Sequence, residues 1–136
     1  MKVSFPYKSE TSRVFGQVKR PIAQVSFWSD TRIRWLNYTM IVDTGADYTL
    51  LPNSAADDLG VNLERESMQF KTFGIGGSET VYLVKRYKIK IGSKEMFIPL
   101  GFLSRDDIPP LLGRQDCLNN LNLLFSGFIT TFSSPM

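Results

Sequence analysis

Asp43-Thr44-Gly45-Ala46 stands between two apolar runs, Met40-Ile41-Val42 and Tyr48-Thr49-Leu50-Leu51. Burying a carboxylate is costly unless it is paired. Asp, Thr and Gly also favour turns, and Asp side chains bond nearby backbone amides. A solvated hairpin turn, however, lies between alternating strands rather than between two continuous apolar runs. The chemistry open to such a carboxylate is proton transfer. Two carboxylates held face to face share one proton, so one serves as base and the other as acid. The chain holds a single Asp-Thr-Gly, so a pair of this kind draws its second carboxylate from another molecule.

Absent residue types narrow the alternatives. There is no His, which removes Ser-His-Asp and Cys-His mechanisms and His-ligated zinc. One cysteine, Cys117, forms no internal disulfide and no Cys-rich metal site. A carboxylate pair needs neither residue type, and it needs no metal or cofactor.

The elements that hold Asp43 read as strands. The chain has 136 residues, 43% hydrophobic and 21% charged, which suits one globular domain over residues 1–136. Ten Phe, five Tyr and two Trp favour sheet. The pattern predicts a hairpin of Val14 to Val18 with Ile22 to Trp28, turning at Lys19-Arg20-Pro21. Ile33 to Val42 enters the Asp43 turn and Tyr48 to Leu51 leaves it. A short helix follows to Leu59, capped by Asn53 or Ser54 and stopped by Gly60, with Asp57 and Asp58 as surface charges. Met68 to Phe73 and Glu79 to Lys90 flank Gly74-Ile75-Gly76-Gly77 as a hairpin with a mobile tip. That glycine run lacks the Gly-Lys-Ser/Thr ending of a phosphate loop. Gly92-Ser93 turns the chain into Glu95 to Leu103. Leu111-Leu112-Gly113-Arg114 precedes an expected short helix to Leu121, and Leu123 to Phe132 is a last strand or pair of strands. The expected fold class is all-β, mostly antiparallel, with one or two short helices.

Three features stand in fixed order: the Asp43 turn, the glycine-tipped hairpin, and Leu111-Leu112-Gly113-Arg114. Together they resemble the retropepsins, the single-domain aspartic proteases of retroviral type. Val42-Asp43-Thr44-Gly45-Ala46-Asp47 resembles that family's active-site motif, and Phe73-Gly74-Ile75-Gly76-Gly77 its flap tip. Leu111-Leu112-Gly113-Arg114 resembles the apolar-apolar-Gly-Arg signature before its C-terminal helix. The likeness covers residues 33 to 125.

The resemblance implies a closed β fold in a two-fold dimer and an aspartic endopeptidase acting on extended peptide. Asp43 would be the catalytic carboxylate, facing its own copy. Thr44 would brace the paired loops across the axis, and Gly45 would permit the turn and offer its carbonyl to substrate. Asp47 would bind substrate backbone and form a partly buried ion pair with Arg114, the structural brace. Gly74, Ile75, Gly76 and Gly77 would close over the peptide, while Ala46 and Leu51 would line side-chain pockets. Cys117 would be a small buried residue in the presumed helix. About forty residues precede Asp43 and the chain runs on past Phe125, so the dimer interface could be built differently from the interleaved termini of retroviral members.

The expected partners are a second copy and a peptide or protein substrate, with no nucleic acid and no membrane. The alternative reading is a non-catalytic retropepsin-like module that dimerises or binds peptide. A third is a small β-barrel for single-stranded nucleic acid, using basic N-terminal strands with Phe27, Trp28 and Trp35 as stacking platforms. Residues 1–34 do carry seven Lys or Arg against two acids, a pattern that solvated strand faces also give. The N-terminus lacks the apolar core of a signal peptide and no run is long enough to span a membrane, so the expected compartment is the cytoplasm.

Overall fold

The computed structural model describes residues 1–74 and 77–135. Its strands, in chain order, are β1 (Lys2–Pro6), β2 (Lys8–Ser12), β3 (Gly16–Arg20), β4 (Ile22–Ser29), β5 (Arg34–Val42), β6 (Thr49–Leu51), β7 (Met68–Gly74), β8 (Gly77–Ile91), β9 (Lys94–Leu103), β10 (Leu111–Leu112), β11 (Asn122–Ser126) and β12 (Ile129–Ser133). Two short helices, α1 (Ser54–Leu59) and α2 (Leu63–Glu66), complete an all-β fold.

The main sheet runs β4-β5-β10-β6-β9-β8-β7, and β4 also pairs with β8 through Val25↔Ile91 to Phe27↔Ile89. That extra pairing closes the sheet on itself and gives β4 a neighbour on both sides. Closure puts the apolar residues of β4, β8 and β9 inside. Val25, Phe27, Ile89, Ile91, Leu100 and Phe102 are wholly buried. Burial of one such side chain contributes about 1.5–3 kcal/mol, so this ring of strands is the stable frame of the molecule. Leu51 belongs to the same core and lines no open pocket, contrary to the expectation above.

A second sheet, β1-β12-β11, brings both ends of the chain together. The β11–β12 hairpin turns at Gly127 and Phe128, both at φ 59, the left-handed pair of a two-residue turn.

Several sequence expectations need correction. Val14 to Val18 does not pair with Ile22 to Trp28. Instead β3 pairs with β2, and the reversal lies at Arg13-Val14-Phe15, with Gly16 at φ 72 taking a left-handed conformation. The apolar residues of β4 are drawn into the core and pair with β5, whereas Val18 has only a half-buried place to offer. β1 and α2 were not anticipated. The helix expected before Leu121 is reduced to a 3-10 turn at Leu118–Asn120, because Asp116 at φ 54 interrupts the right-handed path. Neither Asn53 nor Ser54 caps α1 with its side chain. The Ser54 amide donates to Asp106 Oδ1 at 2.7 Å, from a loop distant in sequence. Gly60 ends α1 at φ 72, as expected.

Candidate active site

β5 and β6 are the two arms of the Asp43 loop, and β10 threads between them. It pairs parallel with β5 (Leu111↔Ile41, Leu112↔Val42) and antiparallel with β6 (Leu111↔Leu50). A two-residue strand survives here because both of its edges are paired. The segment after β10 then crosses the loop and takes up its polar groups one by one. The Asp43 amide donates to Leu112 O at 3.0 Å, the Arg114 amide to Ala46 O at 3.0 Å, and the Gln115 amide to Asp47 O at 2.7 Å.

This crossing is close. A Cβ on Gly113 would lie 2.3 Å from the backbone carbon and oxygen of Tyr48, so only glycine fits. The Gly113 amide, buried at the crossing, donates to the hydroxyl of Thr49 at 3.1 Å. Thr49 is itself fully buried, and an unbonded amide there would be destabilising. Cys117 lies buried with them. Desolvation pushes its thiol up to about 12, opposed by hydrogen bonds with Thr49 and the Leu118 backbone.

On this base Asp43 is half-buried as a residue, and its Oδ1 accepts the Gly45 amide at 2.9 Å. A Cβ on Gly45 would stand 3.3 Å from the same oxygen, so glycine leaves the carboxylate room. Thr44 and Gly45 are exposed and Ala46 is half-buried. Arg114 reaches back over the loop, donating through Nη2 to Asp47 Oδ1 at 2.6 Å and through Nη1 to Thr44 O at 3.3 Å. The expected partial burial of this pair is not found, since the Asp47 and Arg114 side chains are 81% and 43% exposed in the single chain. Loop and crossing segment meet at the surface, where water solvates both charges.

The glycine-tipped hairpin is β7–β8, paired from Met68↔Leu83 up to Gly74↔Gly77, with Gly77 at φ 112. Ile75 and Gly76 lie outside the described residues. The Phe70 ring stands edge-on to Tyr48 at 6.1 Å, joining the hairpin to the Asp43 loop. Burial raises the Tyr48 hydroxyl above its ordinary range, with the nearby Asp47 charge a smaller cause. Close to the hairpin's tip, Arg105 bonds Glu79 at 2.7 Å and also Asp107, while the Ser104 amide donates to Thr80 O at 3.1 Å.

Sequence reasoning missed Thr49, Tyr48 and Arg105. Thr49 left a signal, since a lone hydroxyl inside an apolar strand must find a partner. Arg105 left none, because its partners are 26 residues away and two residues away in an exposed loop. Of the three aromatics named for a stacking platform, Phe27 is inaccessible. Trp28 and Trp35 pack edge-on at 5.3 Å, and Lys88 and Lys90 lie over their rings.

Residues 30–115 match the family model described as aspartyl protease, and the chain belongs to that family. Its fold is the retropepsin-like one. A retropepsin-like aspartic protease from Rickettsia conorii superposes with a TM-score of 0.69 at 16% identity, over 96% of this chain and 98% of that one. No curated protein matches the sequence. Among the described residues, no helix is long and apolar enough to cross a membrane.

Proposed function

We propose that the chain is a homodimeric aspartic endopeptidase in which water is activated between two Asp43 carboxylates. The observation that carries this reading is the double-armed loop. It presents the carboxylate of a half-buried Asp43 on a base locked by backbone hydrogen bonds, and there is one such Asp-Thr-Gly per chain. Preorganisation of this kind suits proton transfer, which depends on geometry fixed before the substrate arrives.

In this mechanism Thr44 steadies one loop against the other across the two-fold axis. The ionised Asp43 takes a proton from water, and the protonated Asp43 of the second copy donates to the scissile carbonyl oxygen. Gly45, Ala46 and Asp47 present backbone and side-chain groups to an extended peptide, and Arg114 holds Asp47 in place. Gly74, Ile75, Gly76 and Gly77 cover the peptide from the flap. Residues 1–136 act as one domain.

The dimer surface we assign to the terminal sheet. β1 and β12 are already paired within one chain, so these termini do not need a partner's strands to form a sheet. β11 leaves an open edge, with Leu124 and Phe125 on it and Phe128 and Ile129 beside it, all exposed. A second copy set against this edge would cover it.

The test is a mixing experiment. Asp43→Asn chains are titrated into a fixed amount of wild type after subunit exchange, and cleavage of casein is followed. Poisoned activity is expected, because a mixed dimer carries one Asp43 carboxylate and one amide that can neither share its proton nor act as base. Flat activity with exchange demonstrated by mass spectrometry would show that each chain works alone. Dimers without any cleavage would favour a non-catalytic peptide-binding module. The rate should be bell-shaped in pH and best on the acidic side of neutrality, since the pair must keep one shared proton.

A further inference from the structure

The β2–β3 hairpin belongs to neither main sheet. It is a two-stranded sheet of its own, and such hairpins are marginal in water unless something else holds them. It is tied to the body at its root. The Tyr7 amide donates to Phe128 O at 2.9 Å, the Tyr7 ring meets Phe125 and Phe128 edge-on, and the Lys19 ammonium lies 4.6 Å over the Phe128 ring. From there it runs out to an exposed turn.

Three properties of that hairpin converge. Its tip is apolar: Val14 and Phe15 are 80% and 79% exposed, and they are adjacent. Its flanks are basic. Lys8, Arg13, Lys19 and Arg20 against Glu10 leave +3 on residues 7–20, equal to the net +3 of the whole chain. Glu10 is taken up by Arg20 at 2.5 Å and Lys8 at 3.8 Å. Its backbone is prepared for a dry setting, since the amides of Val14 and Phe15 both donate to Ser12 Oγ at 3.2 Å. Bare amides at the tip would oppose entry into an apolar layer, and the serine removes that obstacle.

We propose that this hairpin docks the protein on an anionic membrane surface, with Val14 and Phe15 entering the headgroup–acyl boundary, Arg13 beside them meeting the anionic headgroups, and the cations nearer the root, Lys8 and Lys19, adding only longer-range attraction. An apolar tip beside one arginine, on a hairpin of net positive charge, fits that boundary, where burial of a few apolar groups and attraction to surface charge act together. The attachment is peripheral and involves no span. It departs from the sequence-level expectation of no membrane, which rested on the lack of a long apolar run. It does not depend on the protease reading, because the hairpin contains no residue of the Asp43 loop.

The test uses the full chain and sedimentation with phosphatidylcholine vesicles, with and without phosphatidylserine. Wild type should bind the anionic vesicles and release as salt rises through the range where the screening length shortens. Val14→Ser with Phe15→Ser should lower the partition coefficient about tenfold or more with an unchanged melting temperature. Asp43→Asn should bind like wild type. In Phe15→Trp, anionic vesicles should shift the emission to the blue by more than any change in wild type, whose Trp28 and Trp35 form the background. Absence of binding, or equal binding to uncharged vesicles, overturns the proposal. So does unaltered binding by the serine variant, or loss of the dimer in that variant, which would make the tip a subunit contact. Capture of an acidic peptide or oligonucleotide with equal strength by wild type and the serine variant, without vesicle binding, would also overturn it.

Discussion

The Asp43 loop and the Arg13-Val14-Phe15 turn use the same local device. In each, a short polar side chain accepts amides a few residues ahead: Asp43 Oδ1 takes Gly45, and Ser12 Oγ takes Val14 and Phe15. Each has a glycine at or beside the turn. Their surroundings differ completely. The Asp43 loop is crossed by Gly113 to Gln115, which takes up its carbonyls and leaves no space at Gly113. Nothing lies within 4 Å of a Cβ placed on Gly16. Local turn chemistry thus shapes a loop, but a second segment passing over it decides whether the loop is rigid. Rigidity is what acid–base chemistry requires. An exposed tip is what contact with an outside surface requires.

The contrast can be broken by mutation, and the largest effect should fall on activity. Asp43→Asn keeps the shape of the loop and removes the base, so casein cleavage should fall by about 10²–10⁴-fold with melting preserved. Normal cleavage by this variant would sink the mechanism.

Next in size is the crossing itself. Gly113→Ala pushes a methyl group into the Tyr48 backbone and should lower stability by roughly 3 kcal/mol, the upper end for over-packing. Gly16→Ala at the other turn meets no atoms, though its positive φ still adds a strain of about 1 kcal/mol. Denaturant titration of both variants measures the difference, and equal losses would mean that the crossing does not stiffen the loop.

A pH series sharpens the same point through Cys117. Its folded pKa lies above the unfolded value, so below about pH 8.5 both states hold the proton and nothing is lost. As pH rises from there towards about 12, the unfolded state releases its proton first and stability falls, by at most roughly 1.4 kcal/mol per pH unit. Buried tyrosines lose stability in the same direction, so the quantity to measure is the difference from Cys117→Ala. Parallel curves for the two proteins would show that the thiol is not held beneath the loop.

The smallest effect should come from the brace. The Asp47–Arg114 pair is exposed in the single chain, so Arg114→Ala should change stability by no more than about 1 kcal/mol. A concentration-dependent loss of several kcal/mol would instead mean that a second copy covers the pair.

Much of this site was readable in the residues. Asp43 between apolar runs pointed to a held carboxylate, and the order of Asp-Thr-Gly, glycine-tipped hairpin and Leu-Leu-Gly-Arg pointed to a retropepsin-like fold. Those signals are local, since turn-forming residues, alternation and helix stops act over a few neighbours. Gly60 ended α1 for that reason. Partners across the chain were not readable. Val18 and Val25 are both plausible strand valines, and only competition for a closed core decided that β4 pairs with β5 and β8 while β3 is left to β2. The cap of α1 by Asp106 and the contact of Tyr48 with the backbone of Gly113 are likewise long-range. The sequence by itself determined the turn at Asp43-Thr44-Gly45 and which carboxylate stands between apolar arms, while it misplaced the first hairpin turn, which lies at Arg13-Val14-Phe15. Only the tertiary structure decided which turn is crossed and made rigid, because that depends on where a distant strand finds its hydrogen-bond partners.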